Sequence, residues 1–200
     1  SFAKRGKKSV GVARQWSGRQ GKTDNCQVAV FGVLALHDEV IPVGAKLYLP
    51  KEWTDDPARC QNARVPVEEQ AFRTKPALAM EIIDRNSELG TRFNWVAADG
   101  GYGNDPKFLA GLDDRELTFV VDVHKDVRVY DAHPAPHLPS SPSKRGRPRR
   151  RLVSDQKPIR VDKLVAAQPS DAWKVVSLRK STRGDLNVEA LRIPVWIWDG

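Results

Sequence analysis

The sequence predicts an α/β fold, a mixed sheet with flanking helices joined to a β-rich insert. Three observations predict it. Between Ser9 and Leu49, three strand-like runs follow one another across short turns. From Thr74 to Val123 the pattern becomes helix, strand, helix, strand, the alternation that lays helices on the faces of a sheet. After Tyr130 the composition turns to proline and serine, then arginine, then short strand-like pieces. The expected organisation is a core over 1–130, a basic linker rich in Pro, Ser and Arg over 131–157, and a β-rich insert segment over 158–200.

The elements follow in order. Ser1 to Lys8 is a basic lead-in carrying Lys4, Arg5, Lys7 and Lys8. Ser9 to Trp16 reads as a short strand closed by a turn around Gly18 to Gly21. Asn25 to Leu36, dense in valine, reads as a second strand, and Val40 to Leu49 as a third after the turn His37-Asp38-Glu39. Short connections make these three an antiparallel meander. Pro50 to Pro66 is polar and reads as a loop with room for a helical turn. Thr74 to Leu89 is the best helix: Thr74 caps it, Leu78, Ala79, Ile82, Ile83 and Leu89 recur near a 3.6 period, and Gly90 ends it. Phe93 to Ala98 is a strand. Asn104 or Asp105 caps the next helix, with Pro106 in its first turn and Phe108, Leu109 and Leu112 inward. Leu117 to Val123 is a strand apolar enough to be central. In the insert, strands are expected at 159–161, 173–178, 188–193 and 195–198.

Two hundred residues with 40% hydrophobic content and six tryptophans can bury a core. Lys+Arg 33 against Asp+Glu 25 leaves +8, a surplus that favours a polyanion, most often nucleic acid. Cys26 and Cys60 have neither metal-ligand spacing nor a disulfide framework, which fits a reducing cytoplasm. No run approaches the ~20 apolar residues that span a bilayer, so no membrane partner is expected. The chain opens on Ser1 without a signal peptide and stops straight after Val195-Trp196-Ile197-Trp198, so both ends are expected to be cuts from a longer protein.

Asp99 ends the run Phe93 to Ala98 and is followed by Gly100-Gly101-Tyr102-Gly103. An acid between a strand and a glycine turn is how an α/β sheet presents a carboxylate at its functional edge. Strands, helix, acid-ended strand, helix, strand is the order of the ribonuclease-H-like fold after its first strand. That chemistry needs two or three carboxylates on Mg²⁺, where paired ions activate a water or 3′-hydroxyl and stabilise the leaving oxygen. Position alone leaves two readings of Asp99: a metal ligand, or a cap for the turn and the helix after it.

Ordered motifs add to this. Lys7 to Trp16, then Asp24 to Val30, Leu47 to Trp53, Arg59-Cys60, Phe72 to Lys75, Ala98 to Gly103 and Arg145-Gly146-Arg147-Pro148 together resemble the DDE transposases of the IS701 group, within the IS4-like set. The resemblance implies a transposase that cuts and joins DNA at insertion-sequence ends, using Mg²⁺ with Mn²⁺ as the alternative ion. It implies that Asp99 is the second catalytic acid and a metal ligand. By the same resemblance, the first acid lies on a strand before Ser1 and the third, a helical glutamate, beyond Gly200. The fragment alone is therefore expected to be inactive. The implied partners are transposon ends and target DNA, with a homodimer on paired ends, in the bacterial cytoplasm at the nucleoid.

Lys144, Arg145, Arg147, Arg149, Arg150 and Arg151 form a cationic run suited to phosphates or to a solvated linker. Lys7, Lys8, Arg14 and Arg19 either follow the DNA backbone or keep a twisted edge soluble. Tyr102 and Asn104 either position the acid, contact DNA or pack. His124 with Asp126 lacks further ligands for a metal, Glu189 reads as a solvated residue of the insert, and Trp173, Trp196 and Trp198 read as packing. Two other functions stay open: a DNA-binding remnant without catalysis, and a different ribonuclease-H-like nuclease.

Overall fold

A computed structural model describes residues 1–36, 39–139, 151–181 and 184–198, in two compact units, Ser1–Asp122 and Val123–Gly200. The chain is mixed α/β, built from small sheets and helices.

In the first unit, strands β1 (Phe2–Ala3), β2 (Ala13–Ser17) and β3 (Lys22–Gln27) form an antiparallel sheet in the order β1-β3-β2. The strand expected from Ser9 begins only at Ala13. Gly11 holds a positive φ of 74° against the Tyr48 carbonyl, and Val12 N–H closes a turn on Ser9 O at 3.1 Å. Strands β4 (Ala29–Leu36) and β5 (Glu39–Leu47) form a separate antiparallel hairpin. The meander expected as one sheet is thus two sheets, and the strand expected over Asn25 to Leu36 is two strands. The break is Val28, which is buried and gives its carbonyl to Tyr48 N–H at 2.9 Å. The turn predicted at His37-Asp38-Glu39 falls largely outside the described residues.

The stretch expected as a loop with room for a helical turn folds into two short helices, α1 (Lys51–Thr54) and α2 (Pro57–Asn62). Trp53 and Cys60 from these helices join Leu49 and Val65 in a small core, because Trp53 buries its ring while Nε1 donates to Val12 O at 2.8 Å. Helix α3 (Lys75–Glu88) begins where Thr74 accepts the Ala77 N–H, and its C-terminal end is followed by Gly90 at φ 75°. Its Leu78 and Ile82 pack on Val30 of the hairpin, with Tyr48, Ala79 and Tyr102 around them. Gly32 and Gly44 face each other across β4 and β5; a Cβ on either would stand 2.5 or 2.7 Å from Ile82 Cγ2. Lys46, Glu69, Arg73 and Glu81 tie β5 to α3 through ion pairs. The Glu69 carboxyl is held below its usual range chiefly by its hydrogen bond from Lys46.

Strand β6 (Val96–Ala98), helix α4 (Gly100–Gly103), helix α5 (Pro106–Asp113) and strand β7 (Phe119–Val121) complete the unit. β6 and β7 pair in parallel. The strand expected to be central has β6 as its one partner among the described residues, and Val120 is exposed.

The second unit holds the β8 (Arg128–Val129) and β9 (Ile159–Arg160) pair, helix α6 (Val161–Ala166), and the hairpin of β10 (Lys174–Ser181) with β11 (Gly184–Ala190). The helix was not expected, and the strand predicted over 159–161 is shorter by one residue. Of the strand predicted over 195–198, a single bridge between Trp196 and Tyr130 forms.

Candidate functional site

Asp99 follows the last residue of β6 and is the N-cap of α4. Its Oδ1 accepts Gly101 N–H at 2.9 Å, and its carbonyl accepts Tyr102 and Gly103 N–H, each at 3.0 Å. The capping role foreseen for it is real, and it occupies one carboxylate oxygen. Oδ2 remains for another partner, and the residue is exposed.

The parallel register brings a second acid beside it. Ala98 pairs with Val121, and Asp122 N–H donates to Ala98 O at 3.1 Å. Asp99 and Asp122 therefore follow the last residues of adjacent parallel strands, at the strand ends where α/β sheets gather function. Sequence reasoning left Asp122 inside a strand; the register between β6 and β7 was the missing signal. Gly103 locks the turn onto this edge. A Cβ there would lie 2.0 Å from the Asp122 carbonyl oxygen and 3.0 Å from the Val121 side chain.

Tyr102 is half-buried and packs its ring on Phe108 at 5.6 Å. Burial, and then the charge of Asp99, push its hydroxyl above the usual tyrosine range. Asn104 donates from Nδ2 to Gly100 O, bracing the turn. Asp105 caps α5 through Lys107 and Phe108 N–H. Among the described residues, no three His, Cys, Asp or Glu side chains gather closely enough to hold a metal ion. His124 and Asp126 are exposed in the second unit, and Glu189 is exposed on β11 opposite Val175.

The predicted basic residues divide. Lys7, Lys8 and Arg14 are exposed in the first unit. A cleft of about 480 Å³ there is bordered by Arg5, Lys7, Arg14, Asp24 and Arg59. Arg59 went unremarked in the sequence as a cleft residue. Its guanidinium stacks 3.9 Å from the Trp53 ring and donates to Lys7 O at 3.0 Å, fixing the lead-in backbone. Lys144, Arg145, Arg147, Arg149 and Arg150 lie outside the described residues; Arg151 is described and exposed in the second unit.

The family described as DDE superfamily endonuclease matches residues 1–185. A protein of Microchaete diplosiphon named "Probable transposase for insertion sequence element IS701" is 34% identical over 126 residues, which is 62% of this chain and 30% of that protein. The match thus spans under a third of the relative's length. No solved structure matches.

Proposed function

The chain belongs to the DDE superfamily endonucleases, and from that premise we propose that it is the Asp99-bearing part of a DNA transposase catalytic domain of ribonuclease-H-like architecture. The observation that carries this reading is the placement of Asp99: an exposed acid at the end of a parallel strand, with one carboxylate oxygen committed to the turn and the other open.

Divalent ions, Mg²⁺ in this reading, supply an activated water or 3′-hydroxyl and stabilise the leaving oxygen. Asp99 would hold such an ion through Oδ2. Its Oδ1 bond to Gly101 fixes the carboxylate's direction, and the tight seat of Gly103 on Asp122 O fixes the height of the turn. One open oxygen is fewer ligands than a Mg²⁺ site takes, so Asp99 alone would not complete one. Lys7, Lys8, Arg14 and the run from Lys144 to Arg151 neutralise phosphates of transposon ends and target DNA, an affinity term blind to sequence. Action as a homodimer on paired ends, in the bacterial cytoplasm, belongs to the same reading.

In the intact protein, Asp99→Ala is expected to abolish metal-dependent cleavage and strand transfer while DNA binding persists in a mobility-shift assay. Full strand-transfer activity in that variant overturns the assignment. One alternative is a protein that grips DNA without chemistry, using the same basic residues. Metal-dependent nicking by the intact wild-type protein decides against it.

A further inference from the structure

The outer face of the first sheet combines exposed aromatic rings with positive charge. Arg14 and Trp16 share one face of β2, opposite Asn25 and Thr23 of β3. Two residues beyond Asn25, Gln27 pairs with Phe2 of β1 on that same face, since side chains alternate along a strand. Trp16 is 57% exposed and Phe2 48%, while Ala13 and Ser17, on the opposite face, are buried. Lys4 continues β1, its N–H reaching Asn25 O at 2.9 Å. Residues 1–23 contain Lys4, Arg5, Lys7, Lys8, Arg14, Arg19 and Lys22 and no Asp or Glu. The first acid, Asp24, is paired with Lys22 at 3.0 Å.

We propose that this face binds unpaired nucleotides, with Trp16 and Phe2 as stacking platforms and the surrounding lysines and arginines on the phosphates. The proposal rests on the reading that the polyanion served by this chain is DNA. Duplex DNA shows proteins its phosphates and base edges; only unstacked bases offer the flat faces that an exposed indole covers. Charge selects the polyanion, and the rings select its single-stranded form. The β4–β5 hairpin also exposes apolar side chains, among them Phe31, Val33, Val40 and Ile41, but no Lys or Arg occurs from Val28 to Ala45. That face therefore lacks the charge that picks out a nucleic acid.

Fluorescence anisotropy on the full chain tests the proposal, with a labelled oligothymidylate, an abasic strand of equal charge and a duplex of equal length. Trp16→Ala is expected to weaken oligothymidylate binding by about tenfold or more and to leave duplex binding unchanged, whereas Trp16→Phe keeps most of the affinity. The abasic strand should bind the wild type at least as weakly as oligothymidylate binds Trp16→Ala, because it loses stacking on Phe2 as well. Equal losses on single strand and duplex, or no loss on either, overturn the proposal. Binding is read here without cleavage, so an inactive Asp99 site leaves the result standing. A wild-type chain that binds no DNA in any form overturns the DNA reading together with this one.

Discussion

The glycine after Tyr102 sets the position of Asp99 more firmly than any hydrogen bond in the turn. An added Cβ at Gly103 meets a backbone oxygen, Asp122 O, at 2.0 Å, and a backbone atom of a paired strand end cannot swing aside as a flexible side chain can. Gly103→Ala must therefore push α4 off β7, taking the Asp99 cap with it. The expected cost is about 1–3 kcal/mol or more, read as a lower Tm in thermal denaturation. Gly18→Ala is the matched control, because nothing lies within 4 Å of a Cβ there. If the two variants melt together, the contact does not hold the turn. Asp99's own place at a strand end was legible from residues beside it, the apolar run before and the glycines after. The nearness of Asp122 was not, because it depends on how β6 and β7 register across the twenty residues between them.

At the level of elements, α3 seats on the β4–β5 hairpin through a notch as well as through Leu78 on Val30 and the Lys46–Glu81 pair. Gly32 and Gly44, paired across the two strands, leave room for Ile82 Cγ2. Gly32→Ala should cost about 1–3 kcal/mol through overpacking. With Ile82→Ala in the background the clash disappears, since the nearest remaining atoms, Val43 Cγ2 and Ile82 Cβ, would stand 3.7 and 3.8 Å away. A double-mutant cycle by chemical denaturation should thus show strong coupling, and additive losses would sink the notch. The two ends of α3 were legible because Thr74 and Gly90 act on their immediate neighbours. The same holds for Asp105 and Pro106 at the start of α5. The notch was not legible, since it joins residues some forty to fifty apart in the chain. Nor was the sheet switch at Val28, where the apolar pattern continues while the hydrogen-bond partners change. The polar run after Pro50 hid its helices because a single buried ring, Trp53, organises it.

At the scale of the whole molecule, the +8 surplus is concentrated at one end: residues 1–22 carry seven cations and no acid, while the rest of the chain is nearly balanced. Concentrated charge acts on a polyanion through released counterions, and the number of phosphates neutralised appears as the salt dependence of binding. If Lys7, Lys8 and Arg14 sit on phosphates, replacing all three with alanine should flatten the slope of log affinity against log salt for duplex DNA by roughly two to three. The loss should be the same for unrelated sequences, because phosphate contacts carry no base information. Trp16→Ala should leave that slope unchanged, since stacking releases no counterions. The two contributions of this face are thereby separated by measurement: charge through the salt slope, rings through the preference for unpaired strands. An unchanged slope in the triple variant, with affinity lost, would mean that these residues act through folding of the lead-in. Their assignment to phosphates would then fail, whatever the result at Asp99.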